Sequence, residues 1–164
     1  MLTIESVLAY TRAYNPKLFG NARRVTISKL AVTSEVDDDG DEFRKVVGIC
    51  QGETIPRRIE YHFYGTRNKN GYIWVTCTCE YWLYHCEVAT SKKGSAEIIH
   101  SNGANPKITN PRNMPALCKH LLKGLMDGVS TLIPKEAAKK IGQKGRSKAE
   151  PLTKEKPKPF VKKK

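Results

Sequence analysis

The chain has 164 residues, with 29 Lys and Arg against 16 Asp and Glu and a net charge of +13 at neutral pH. That length suits one domain with a real core plus a tail. No transmembrane run is present, and Met1-Leu2-Thr3-Ile4-Glu5 lacks the basic start and long apolar stretch of a signal peptide, so neither membrane spanning nor signal-directed secretion is expected.

Residues 3–14 read as a helix: Thr3 can cap it, Glu5 complements its dipole, and Ile4, Val7, Leu8 and Tyr14 recur at helical spacing. Asn15-Pro16 breaks it, and Phe19-Gly20-Asn21 reads as a turn. A strand follows over 23–32, with Val25 and Ile27 in one phase and Leu30 and Val32 in the other. The phase change predicts a bulge near Ser28-Lys29.

Six acidic residues surround Gly40 between Glu35 and Glu42. A calcium loop fails on spacing: with Gly40 at its sixth position, the twelfth falls on Val46, where a bidentate Glu is required. A solvated hairpin loop is expected instead. Strands are expected over 43–50, 57–64 and 72–77. In the second, Ile59, Tyr61 and Phe63 alternate with Arg58, Glu60 and His62, the pattern of a half-buried antiparallel strand. In the third, Ile73, Val75 and Cys77 share the apolar face, so the strand delivers Cys77 toward the core.

Beyond Cys79 the chain reads helical, with Trp82, Leu83, Cys86 and Ala89 on one face. Tyr81, Trp82 and Tyr84 suit either core packing or stacking on bases, with core favoured. Residues 91–115 are polar and rich in Gly, Asn and Pro, with Ile98 and Ile99 as a short strand or pinning point and His100 at the surface. A last helix is expected over 115–132, with Pro115 in its first turn and Leu117, Leu121, Leu122, Leu125, Met126 and Val129 on its apolar stripe. Gly124 and Gly128 weaken it locally and predict close packing.

Two tight pairs of soft ligands frame this part of the chain: Cys77-Thr78-Cys79 and Cys118-Lys119-His120. Thiolate and imidazole are the donors zinc prefers, and four of them close its shell, as structural sites do. One Zn²⁺ held by Cys77, Cys79, Cys118 and His120 is therefore expected. Cys86 and His85 stand near enough to substitute for a ligand. Five cysteines, an odd number with four residues assigned to metal, argue against a disulfide framework and for a reducing, cytosolic site of synthesis.

C-T-C…C-K-H, with strands before it and a leucine-rich helix after it, resembles the SWIM zinc-finger family, whose pattern is C-x-C…C-x-H. The resemblance covers residues 60–125, and 38 residues, 80–117, separate the pairs, more than the family usually shows. Asn110-Pro111-Arg112-Asn113 ahead of Cys118-Lys119-His120-Leu121-Leu122 looks most like bacteriophage-encoded variants. The resemblance implies binding to DNA or protein, no catalysis, and, for a phage chain, a place in the virion; otherwise the cytoplasm is expected.

Residues 134–164 hold 12 Lys/Arg and 3 Asp/Glu, net +9, while 1–133 carry net +4. The division is a zinc-stabilised α+β domain over 1–133, a small antiparallel sheet with helices around the zinc site, and a basic Lys/Pro-rich tail over 134–164. The tail is a solvated appendage or an arm for phosphates or acidic protein surfaces. Candidate contacts to nucleic acid or partner are Arg57, Arg58, Arg67, Lys69, Lys92, Lys93, Arg112, Lys139, Lys140, Lys144, Arg146, Lys162, Lys163 and Lys164. No phosphate loop, G-x-S-x-G or H-E-x-x-H occurs, and Glu80 is the only carboxylate placed to serve a catalytic metal. The expected role is a non-enzymatic structural component of an assembly, with other structural proteins or nucleic acid as partners and no small-molecule substrate. The alternative is a zinc-dependent nucleic-acid-binding module without strong sequence specificity.

Overall fold

The structure, a computed structural model, describes residues 1–51, 55–65 and 71–129. Leu2–Thr3 is a two-residue strand, β1, and Thr3 then caps helix α1, Ile4–Tyr14, its Oγ1 accepting from Ser6 N–H at 3.1 Å. The expected turn at Phe19-Gly20-Asn21 is instead a helix, α2, Lys17–Ala22. Pro16 sits at its cap with a helical φ of −64°, and Leu18 and Ala22, four apart, are both buried. An added Cβ at Gly20 would meet nothing, so this glycine costs helix propensity but opens no gap. The short apolar spacing was too brief to register as a helix from sequence.

Strand β2 spans Thr26–Val36 and β3 Glu42–Gln51, paired antiparallel. The register slips between Ile27 and Lys29, leaving Ser28 as the bulge residue where the phase change placed it. The acidic segment between them is a hairpin turn. Asp37 Oδ1 accepts from Asp39 and Asp41 N–H at 3.2 and 2.8 Å, and Gly40 takes φ +85°, a conformation glycine reaches without strain. Strands β4, Arg57–Tyr64, and β5, Tyr72–Cys77, complete a five-stranded antiparallel sheet in the order β1-β5-β4-β3-β2.

One face of this sheet is the core. Val46 pairs with Tyr61 and Tyr61 with Val75, so the three side chains line up across the sheet, joined by Ile59, Ile73 and Cys77. Against it lie Val7 of α1, Trp82, and Leu121 and Leu122 of the last helix. The other face carries Glu60, ion-paired with Lys45 and Arg58 and hydrogen-bonded to His62. Burial alone would raise the Glu60 carboxyl, but the His62 hydrogen bond and the Lys45 and Arg58 charges outweigh it and hold it below the usual carboxylate range.

After Cys79 comes one π-helical turn, Trp82–Cys86, running into α3, Glu87–Ser91. The wider turn keeps Trp82, Cys86 and Ala89 buried while Tyr84 is turned to solvent. Trp82 is thus core, as expected, and Tyr81 stacks on His85 with centroids 4.2 Å apart. Residues 92–117 hold no further helix or strand, and Ile98 and Ile99 are exposed.

The last helix, α4, runs Lys119–Met126, shorter than the sequence suggested. Ahead of it the chain is extended at Cys118, with φ −74° and ψ 167°, and Ala116 and Leu117 are buried in the approach, where Leu117 N–H donates to Thr11 Oγ1 at 2.9 Å. Gly128, φ +75°, turns the chain at the far end. The expected helical residues past 129, the tail 134–164 with Lys139, Lys140, Lys144, Arg146, Lys162, Lys163 and Lys164, and Arg67 and Lys69 lie outside the described residues. Among the described residues no helix is long and apolar enough to cross a membrane.

Candidate metal centre

The apolar alternation of β5 carries Cys77 to the buried end of the strand, opposite Ile59. The chain then turns at Thr78, and β4 fixes that turn from three directions. Thr78 N–H donates to Arg58 O at 3.1 Å, Arg58 N–H to Thr78 Oγ1 at 3.0 Å, and Arg57 Nη1 to Thr78 O at 3.2 Å. A C-x-C pair on a strand would send its sulfurs along the strand; the turn lets Cys79 fold back toward Cys77. Trp82 N–H donates to Cys79 Sγ at 3.3 Å and settles the second sulfur.

The second pair comes from α4. Cys118 is its N-cap residue, in extended conformation with φ −74° and ψ 167°, and His120 lies in the first turn. The expectation that both stand inside the first turn is met for His120, whereas Cys118 sits one position before it. Helix position is set by packing: Tyr61 Oη donates to Leu121 O at 2.7 Å, and Leu121 and Leu122 are fully buried.

One ligand atom each of Cys77, Cys79, Cys118 and His120 lies within 4.8 Å of all the others, and all four residues are buried. Cys77 Sγ and His120 Nδ1 are 3.9 Å apart. A tetrahedron with metal–sulfur and metal–nitrogen bonds of about 2.3 and 2.0 Å has edges of roughly 3.5–3.8 Å. The set can therefore hold a metal ion after shifts of less than about an ångström. Burial pushes the Cys77 and Cys118 thiols well up, while hydrogen bonds from Cys118 and Cys77 hold Cys79 far down as a thiolate. A divalent cation held by these residues would supply the charge for all three thiols to ionise.

The alternative ligands are engaged elsewhere. His85 stacks on Tyr81, and its Nδ1 lies 3.0 Å from Tyr14 Oη, which itself donates to Thr109 O at 2.7 Å. Cys86 and Cys50 are buried outside the cluster, and burial pushes the Cys50 thiol up to about 11. A cleft of about 600 Å³ opens beside the centre, with Arg57, Glu80, Tyr81 and Lys119 among its walls.

The described basic candidates are not brought to one place. Arg57 and Arg58 are successive on β4 and so point to opposite faces, Arg57 toward the metal side and Arg58 onto Glu60 at 2.7 Å. Lys92 bonds to Asn105 Oδ1, Lys93 is exposed after α3, and Arg112 is exposed in the 110–114 turn. Missed from sequence were the groups that route the chain between the ligand pairs. The buried Glu87 carboxylate accepts from Ile99, His100 and Ser101 N–H at 2.6–3.3 Å. Asn110 bridges His85 O and Met114. The only sequence signal was an acid beside a buried cysteine and an Asn-Pro dipeptide. No protein-family model matches the chain, and neither a curated protein nor a solved structure does.

Proposed function

We propose that the chain is a non-enzymatic zinc protein that serves as a structural part of an assembly, its basic C-terminal arm contacting neighbouring subunits or DNA. The observation that carries this reading is the donor set: three sulfurs and one nitrogen, converged and buried, would fill the four positions of a structural zinc. Such a centre works through stability. Structural zinc contributes about 10–16 kcal/mol in small domains, as much as a whole domain's net stability of about 5–15 kcal/mol. Here it ties the end of β5 to the start of α4. Resemblance to bacteriophage SWIM variants makes a phage particle the favoured assembly.

A nucleic-acid-binding module is the competing reading, supported by the net +9 of residues 134–164. The separation of Arg57 from Arg58, and the pairing of Arg58 with Glu60, speak for the assembly reading instead. The test has two parts. Elemental analysis and X-ray absorption should find one zinc per chain in a shell of three sulfurs and one nitrogen; protein purified without chelator and free of zinc refutes the metal centre. Truncation after residue 133 should keep the zinc but lose incorporation into the particle; loss of salt-dependent DNA binding alone, with incorporation intact, selects the competing reading.

A further inference from the structure

The sheet face away from α4 carries four rings in one stack. Phe43 lies 5.2 Å from Tyr64 and 4.5 Å from His62, and His62 lies 4.3 Å from Trp74, centroid to centroid. The register produces the row: Phe43 is opposite Tyr64, and His62 is opposite Trp74. These rings line a cleft of about 400 Å³. Asp37, Asp38 and Asp39 of the β2–β3 turn line it too, as does Glu97. Met1 lines it as well.

Phe43 is buried within the row, whereas Tyr64 and Trp74 at its two ends are half-buried, and an end ring beside carboxylates suits a cation on an apolar stem. The ammonium gains from the ring quadrupole and from the acids, and the methylene stem covers the ring. Proline rings pack on aromatic grooves in the extended polyproline conformation, which loses little entropy on docking. A phosphate backbone is repelled by the same acids.

We propose that this cleft docks the chain's own C-terminal segment, residues 154–164. That segment reads Lys-Glu-Lys-Pro-Lys-Pro-Phe-Val-Lys-Lys-Lys, six lysines and one glutamate around two prolines. It matches the cleft in charge and in its Lys-Pro alternation. About 25 residues intervene after 129, and a random coil of that length spans roughly 25–30 Å on average. Tethering gives an effective concentration near millimolar, so a weak contact is populated within one molecule. The docked arm has a resting place on its own domain, which an outside partner must displace. The inference needs neither zinc nor a phage particle, so its failure leaves the assembly reading untouched.

Zero-length carbodiimide cross-linking of the full chain, purified with its metal, tests it in a mixture of ¹⁴N and ¹⁵N copies. Tail lysines should join Asp38, Asp39 or Glu97 within one copy, and D38N/D39N/E97Q should abolish those products. Equal joining to exposed Glu5, Glu80 and Asp127 overturns the proposal, and products found only between copies overturn it in favour of a second chain. Independently, K154Q/K156Q/K158Q should shift the Trp74 indole resonance and leave that of buried Trp82 in place. A Trp74 signal indifferent to these changes overturns the docking.

Discussion

Gly124→Ala is the substitution where two physical effects oppose most clearly. Helix propensity alone says that alanine in α4 gains up to about 1 kcal/mol. An ideal Cβ at Gly124, however, would lie 2.1 Å from Tyr61 Oη and 2.8 Å from its Cζ. Tyr61 cannot give way. It is fully buried, it stacks on Phe63 at 5.7 Å, and its hydroxyl donates to Leu121 O at 2.7 Å. Overpacking costs about 1–3 kcal/mol, and a buried hydroxyl stripped of its partner a further 1–3 kcal/mol or so. The clash wins, with a net loss of about 2–4 kcal/mol. Because α4 carries His120, moving it off β4 should also weaken metal binding. Urea unfolding at fixed zinc measures the loss, and zinc competition with a chelator measures the second effect. Adding Tyr61→Phe removes the nearest atom, so the double variant should lose less than the sum of the singles. A Gly124→Ala protein as stable as the parent, or strictly additive singles, would refute this account of the α4–β4 contact.

Other outcomes follow from the same packing. Cys77→Ala or Cys118→Ala should lose the metal and unfold the region around it, whereas Cys50→Ala should leave metal content unchanged; the reverse pattern in elemental analysis would overthrow the ligand set. Glu87→Gln keeps one oxygen for the loop amides and turns an amide nitrogen against the rest. It relieves a buried charge but orphans a donor, so a loss of about 1–3 kcal/mol and faster hydrogen exchange at Ile99, His100 and Ser101 are expected. Acid should destabilise the sheet in two stages. Burial holds His62 below its ordinary value, so the folded state binds fewer protons there and stability falls as pH drops below about 6.5. Glu60, also depressed in the fold, adds a second loss below about 4.3, and thermal melts at fixed zinc across this range should show both.

How much of this was legible depends on where the deciding interaction lies. Alternation in 57–64 and 72–77 gave β4 and β5 at the observed bounds, because each strand has one face against the core and one against solvent. The Ser28 bulge was legible from a phase change alone. So was the meeting of Cys77, Cys79, Cys118 and His120, since two spaced pairs of soft donors need only a fold that brings them together. The start of α4 and the existence of α2 were not. Both turn on contacts between distant residues: Thr11 to Leu117 holds the extended approach to α4, and burial of Leu18 and Ala22 against α4 makes a helix of a stretch with a central glycine.

The connection between the ligand pairs shows the same limit at larger scale. Residues 92–117 form no regular element, yet they must bring Cys118 back to Cys77 accurately. Single polar groups do this in place of a helix or strand. Ser95 accepts from Leu2 and Val75 N–H and fastens the segment to the sheet edge. Glu87 gathers three consecutive amides, and Asn110 closes the turn that ends at Met114. Thr11 then takes the amide of Leu117, one residue before the ligand. Each uses a buried side chain to satisfy backbone that no ladder pairs, and an unpaired buried amide costs about 1–3 kcal/mol. Such a route carries no periodicity for a reader of sequence to find. It also makes the position of Cys118 depend on α1, α3 and the sheet edge together, so the metal centre senses the packing of nearly the whole described domain.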